Sequence, residues 1–313
     1  MLALLIALGL LALFVLAVVL PTMPIAIRVY NDHLVRHGRE NWRRGVCSFP
    51  DDAEMVEMYR QGALWHEANA DCCREVGIES DGLKLAGEYY DFGFRKAAMV
   101  LSGRTETLTY GYFFAAPYRA LGYNVLLIDD RGHGESEGDR NNVGLKEFRD
   151  VQRWVRFLHD ELGNEKVLLH GICIGAATAM YAVTEPGAPD CVEGLVVDGM
   201  YTTFRETFRT HMKLMKRPVF PVLDEVMLLI ALHAGRHPGL HGPVYSIRRL
   251  KLPVLMLFGR QDQFSLPEKS QMLYEMCPSR KRVVWFERGA HSHLRINAPE
   301  QYDGAIGDFV RTL

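Results

Sequence analysis

The sequence predicts an α/β protein with a mostly parallel sheet flanked by helices on both faces. Three observations carry this. Short apolar runs recur at 96–101, 124–128, 166–170, 191–197, 253–258 and 282–286, each of buried-strand length. Between them lie stretches with helical apolar spacing, clearest at 145–162 with Phe148, Val151, Trp154, Val155 and Leu158. One run, KVLLHGICIGAATAM at 166–180, reads as a strand, a tight turn and a helix. Strands that alternate with helices pair in parallel and are covered on both faces.

The chain of 313 residues allows one large α/β domain plus an extra segment. With 48% hydrophobic and 24% charged residues it has an ordinary globular balance. A net charge of -2, with no basic cluster interleaved with aromatics, gives no basis for nucleic-acid binding. The six cysteines, Cys47, Cys72, Cys73, Cys173, Cys191 and Cys277, show neither a disulfide framework nor a CxxC metal pair. They read as thiols in a reducing compartment.

Residues 1–20 contain no charged side chain. At ~1.5 Å per residue they span the ~30 Å hydrocarbon core of a bilayer. No Lys or Arg precedes the run, and Pro21-Thr22-Met23-Pro24 offers no small-x-small cleavage site. Residues 1–22 are therefore expected to be an uncleaved transmembrane anchor rather than a signal peptide. Arg28, Arg36, Arg39, Arg43 and Arg44 follow it, and the positive-inside rule puts the carboxy-terminal side in the cytoplasm. Residues 23–75 are expected to be a helical linker, with a polar helix over 51–74 whose apolar stripe is Met55, Met58, Tyr59 and Leu64. His66, Cys72 and Cys73 lack a fourth ligand, so no metal is expected there.

The main domain is expected over 76–313. It opens with strands at 76–80 and 83–91 joined by Asp81-Gly82, a hairpin signal. The run at 96–101 ends at Ser102-Gly103-Arg104. The run at 124–128 ends in DDRGHGES, whose Asp, His and Ser read as a structural turn. His170 reads as a packed core histidine, and Asp198 as support for its loop rather than a catalytic acid. The turn Gly171-Ile172-Cys173-Ile174-Gly175 has the form of a nucleophile elbow, G-x-S-x-G, with cysteine in the serine position. The helix after it points its N-terminus at Cys173, which favours a thiolate and a developing oxyanion. The plainer reading of Cys173 is a small buried hydrophobe.

Residues 201–247 break the strand pattern. Helices at 204–214 and 222–234, separated by Pro218 and Pro221, read as a cap. Its Phe204, Phe208, Met212, Met215, Met227, Leu228 and Leu229 line an acyl pocket or, for most of them, pack the cap onto the domain. Past the run at 253–258 comes Asp262, and past the run at 282–286 comes His291, with His293 as a second candidate base. Both loops lie at carboxyl ends of strands, where an open α/β sheet places its site. In this set Cys173 is the nucleophile, His291 takes its proton, and Asp262 fixes the imidazole tautomer.

The segments DGLKLAGEYY, NVLLIDDRGHGESEG, HGICIGAATAM, VVDGMYTT, PVLMLFGRQDQFSLP and GAHSHLRINAPEQYDGAIGDFV resemble those of serine-hydrolase-type α/β-hydrolases of the peptidase-like and bem46-like groups. The resemblance runs from about residue 76 to the carboxy terminus. It implies the α/β-hydrolase fold and the order nucleophile, acid, base. It also implies a small-molecule acyl ester or thioester as substrate and no cofactor. An amino-terminal membrane segment is common in the group. The resemblance further assigns the oxyanion hole to the backbone N–H groups of Arg104 and Ile174. Two departures stand out. Cysteine replaces serine at 173, as in dienelactone hydrolases and bile-acid-CoA amino acid acyltransferases, which shifts the chemistry toward activated acyl groups. Ser102-Gly103 replaces His-Gly, which is expected to loosen that loop. The implied activity is a carboxylesterase or thioesterase. An acyltransferase using the same triad and a non-catalytic scaffold are the alternatives.

Overall fold

A computed structural model describes residues 1–38 and 42–313, so Arg39 lies outside the described residues. Eight strands form one sheet: β1 Cys73–Ser80, β2 Leu83–Tyr90, β3 Lys96–Leu101, β4 Tyr123–Ile128, β5 Lys166–Ile172, β6 Val192–Asp198, β7 Val254–Gly259 and β8 Lys281–Phe286. Their spatial order is β1-β2-β4-β3-β5-β6-β7-β8. β1 with β2 and β2 with β4 are antiparallel, and the other pairs are parallel. Asp81 and Gly82 both have positive φ, 49° and 74°, the backbone that closes a two-residue hairpin with the twist of its strands. Every residue of β4 and β7 is buried, as a strand covered on both faces requires.

The amino-terminal helix runs on past residue 22. α1 (Leu2–Phe14), a π turn at Val15–Val19 and α2 (Leu20–Leu34) form one helix of 33 residues, with no break at residue 22. The π turn falls where the Pro21 ring would meet the carbonyl four residues earlier, so the helix widens there and continues. Helix Leu2–Leu34 is long and apolar enough to cross a membrane, and the residues of its most apolar stretch are unburied. Its carboxyl half instead buries Ala26, Val29, Tyr30 and Leu34.

α3 (Ala53–Ala68) is capped by Asp52, which accepts from the N–H groups of Glu54 and Met55. It buries Met55, Met58 and Gly62 on α4 (Leu108–Ala120). A Cβ at Gly62 would stand 2.9 Å from the Phe113 nitrogen, so glycine permits the close approach. Leu64, expected on the apolar stripe, is 51% exposed. The expected helix over 51–74 is thus shorter, because residues 73–75 pair with β2 and belong to the sheet.

α5 (Glu147–Arg156) and α6 (Ile174–Thr184) pack against each other in the apolar core that also receives α2. α7 (Phe204–Leu214) and α8 (Val222–Ala234) form the cap, and short α9 (Pro243–Ser246) follows. α10 (Pro267–Met276), α11 (Leu294–Asn297) and α12 (Pro299–Val310) complete the chain, with α12 joining α4 in a second core.

α2 and α8 lie side by side in parallel. Thr22 Oγ1 donates to the Glu225 carboxylate at 2.6 Å, and Tyr30 stacks on His233 at 5.5 Å between centroids. The start of α8 therefore sits at the level where α2 leaves the domain to become α1. Phe220, just before α8, is 70% exposed there, and Ile25 on α2 is exposed as well.

Candidate active site

β3 and β5 are neighbours in the sheet, and the chain crosses away from them on opposite faces through α4 and α6. This is the topological switch point, where a ligand crevice opens at the carboxyl ends of the strands. Cys173 stands in it, at the turn from β5 into α6, with φ 55° and ψ −112°. A non-glycine residue in that region is strained, and the strain aims its side chain out of the sheet. The flanking glycines make the turn possible. A Cβ at Gly171 would stand 2.3 Å from the Gly175 carbonyl oxygen, and one at Gly175 would stand 2.2 Å from that of Leu101. Gly175→Ala is accordingly expected to lower stability by at least ~3 kcal/mol, the upper range for overpacking, because only backbone surrounds the new methyl. Thermal unfolding checks this.

His291 follows β8, and Asp262 follows β7. His291 Nδ1 lies 2.7 Å from Asp262 Oδ2. The other carboxylate oxygen of Asp262 accepts the N–H groups of Phe264 at 2.8 Å and Ser265 at 2.7 Å. The acid is held by backbone, and it fixes the proton of His291 on Nδ1. Nε2 is then the free nitrogen, and it is buried without a hydrogen-bond partner. Burial opposes protonation of His291. The Asp262 and Cys173 charges, with the hydrogen bond to Asp262, outweigh it and hold the imidazole pKa well above its ordinary value. Gly199, at φ 61°, leaves room for the ring: a Cβ there would come within 3.1 Å of His291 Cε1.

His293 is turned away from this arrangement. Its Nδ1 lies 2.6 Å from the His291 carbonyl oxygen and its Nε2 lies 3.1 Å from Asp52 Oδ2. His170 is fully buried, with Nε2 2.9 Å from the Tyr302 hydroxyl, which donates in turn to Asp198 at 2.8 Å. Burial raises the Asp198 pKa to about 7, against the opposing Tyr302 hydrogen bond. Both residues lie outside the lining of the cavity.

Arg104 and Ile174 line the same cavity as Cys173 and His291. The Ser102-Gly103 loop, expected to be loosened by the missing histidine, is held from elsewhere. His133 Nε2 lies 2.8 Å from the Arg104 carbonyl, Asn141 Nδ2 donates to that oxygen at 3.3 Å, and Trp42 stacks on the His133 ring at 4.4 Å. Ser136 Oγ donates to the Asp129 carbonyl, so the DDRGHGES turn is a scaffold for this loop.

The cavity measures ≈ 340 Å³, and its wall mixes aromatic rings with polar groups, Tyr110, Tyr201 and Phe264 beside Thr105, Glu106 and Thr207. Phe204 and Phe208 of the cap line it, whereas Met212 and Met227 are buried outside its lining and Met215 and Leu228 are exposed. Phe49, Asp52 and Met55 also line it, although the sequence placed them in a linker. No local signal marks them, because only packing of α3 on α4 brings them to the site. His66, Cys73 and Glu88 meet at the sheet edge with ligand atoms within 4.8 Å, and Cys72 is not among them. The Glu88 carboxylate already accepts the hydroxyls of Tyr90 and Tyr112.

Residues 100–219 match the family model described as alpha/beta hydrolase fold, and residues 194–293 match that of serine hydrolase (FSH1). Protein bem46 of Schizosaccharomyces pombe is 29% identical over 197 residues, 62% of this chain and 59% of that protein. The uncharacterized membrane protein YNL320W of Saccharomyces cerevisiae is 28% identical over 196 residues, 62% of each chain. The chain therefore spans about three fifths of the length of these relatives. Among solved structures, the Pyrococcus furiosus esterase Pf2001 shares the fold with a TM-score of 0.67 at 23% identity, over 79% of this chain and 93% of that one. With two hydrolase models that together run from residue 100 to residue 293 and this shared architecture, the chain has the α/β-hydrolase fold.

Proposed function

We propose that the protein is a membrane-anchored hydrolase that cleaves ester or thioester bonds through an acyl-enzyme on Cys173. One observation carries the reading: Cys173 is held on a strained elbow beside the unpartnered Nε2 of His291, whose Nδ1 is fixed by Asp262. The Cys173 proton passes to His291 Nε2, and the thiolate attacks the acyl carbonyl carbon. The backbone N–H groups of Arg104 and Ile174 hold the oxyanion. The bond to the leaving oxygen or sulfur then breaks, and His291 returns the proton to it. Water, deprotonated by the same nitrogen, hydrolyses the enzyme thioester and frees Cys173. An amine or alcohol in place of water would make the same site an acyltransferase.

The esterase with the same fold supports the reaction class. The helix Leu2–Leu34 and a yeast relative called a membrane protein support the anchor. The arginines after the span favour a cytoplasmic domain. The test is turnover of p-nitrophenyl esters and acyl thioesters by the full chain in detergent. Alkylation of Cys173 is expected to remove turnover in proportion to the residue modified. Undiminished turnover after complete alkylation contradicts the reading.

A further inference from the structure

Arg104 offers the cavity more than its backbone. Its loop is fixed through the carbonyl oxygen, and its side chain reaches the wall beside Cys173. Among the described residues its guanidinium makes one hydrogen bond: Nη1 donates to the His33 carbonyl at 2.6 Å. Other poorly exposed arginines are paired with carboxylates. Arg44 meets Asp129, Arg131 meets Asp150, and Arg295 meets Asp303. Among the described residues, Arg104 has no carboxylate within 4.0 Å. Glu106, an acid in the cavity lining, turns back onto Thr105, accepting its N–H at 3.1 Å and its hydroxyl at 3.0 Å.

A desolvated cation without a counter-ion is costly. The cost shows in Arg104, whose pKa burial lowers against the pull of Glu106 and Cys173. His211, on the same wall, has its pKa lowered to about 3, first by burial and then by Arg104, so it is neutral near pH 7. Among the described residues Arg104 is thus a cation without a carboxylate partner, with spare planar donors on a wall that it shares with Phe208 and His211 as well as with Glu106 and Asp52. That fork fits the two oxygens of a carboxylate or phosphate.

We infer that Arg104 is an anion-recognition site, and that the substrate is an acyl ester or thioester bearing a carboxylate or phosphate that pairs with its guanidinium. This rests on the hydrolase reading above and narrows its substrate class. In the reaction the anion stays intact; it seats the acyl carbonyl against Cys173, which makes Arg104 a specificity determinant through its side chain.

The test uses two matched pairs, with the anion on the acyl side or on the leaving group. The first is p-nitrophenyl hydrogen glutarate against p-nitrophenyl valerate. The second is butyrylglycerol 3-phosphate against butyrylglycerol. For each pair kcat/KM is compared as a ratio within one protein, so any loss from a disturbed oxyanion loop cancels. Wild type is expected to favour the anionic member of at least one pair by about 10-fold or more, and Arg104→Gln to lose that preference by about 10- to 100-fold, the span of one charge-assisted hydrogen bond. Arg104→Lys should keep part of it. Which pair responds identifies the source of the anion. A ratio unchanged in Arg104→Gln, or neutral members preferred in both pairs by wild type, overturns the inference. Should wild type turn over none of the four, the hydrolase reading fails and calorimetric binding of glutarate and glycerol 3-phosphate decides the site. Binding that Arg104→Gln abolishes supports it; absent or equal binding overturns it.

Discussion

Cys173→Ala is expected to abolish covalent acylation and to lower kcat/KM by about 10⁴-fold, leaving the residual catalysis that oxyanion donors and binding alone supply. The reason is local. Cys173 holds the elbow position, and Cys47, Cys72, Cys73, Cys191 and Cys277 lie outside the cavity lining. The variant should fold, since Cys173 is only half-buried and alanine adds no atom to the crowded turn. Cys173→Ser is a sharper probe. It keeps a nucleophile but replaces a polarisable sulfur with a less polarisable, shorter-bonded hydroxyl. The Cys173 charge also raises the His291 pKa, so both variants should lower it, a shift readable by NMR of the imidazole. An unchanged imidazole pKa would mean that the two groups do not interact.

Asp262→Asn is expected to cost about 10³- to 10⁴-fold in kcat while leaving the fold intact. The N–H groups of Phe264 and Ser265 would keep the amide oxygen where a carboxylate oxygen now sits. The amide nitrogen would then face His291 Nδ1 and donate to it, forcing the ring proton onto Nε2 and removing the base. The pH profile should move with a definite sign. Asp262 raises the His291 pKa, so its neutralisation lowers that pKa. The alkaline limb set by loss of the imidazolium should shift to lower pH in the variant. A limb that stays in place would exclude His291 as the titrating group.

How much was legible in the sequence follows from how local each feature is. β3 and β7 read directly because a strand buried on both faces is a continuous apolar run ended by a turn. The elbow was legible because two glycines and a small-residue helix are local necessities of the backbone path. Asp262 and His291 were legible because strand ends place them. α4 was harder to read, since LTYGYFFAAPYRA is apolar all round: it is wedged between the sheet and α3 and has no solvent face to give a period. The continuity of the helix through Pro21 and Pro24 was not legible, because it depends on a π turn before them that accommodates the first ring. Phe49, Met55 and the isolation of Arg104 are products of long-range packing, which spacing does not report. The binding of the loop at Ser102-Gly103 by His133 was hidden for the same reason.

The central claim, an acyl-enzyme on Cys173, is tested most directly by intact-mass spectrometry of the full chain after brief exposure to a p-nitrophenyl ester or an acyl thioester. The account predicts a mass increase of one acyl group on wild type, mapped by peptide analysis to 166–180 and absent from Cys173→Ala. Turnover without that adduct in wild type, or an adduct equal in Cys173→Ala, would contradict it.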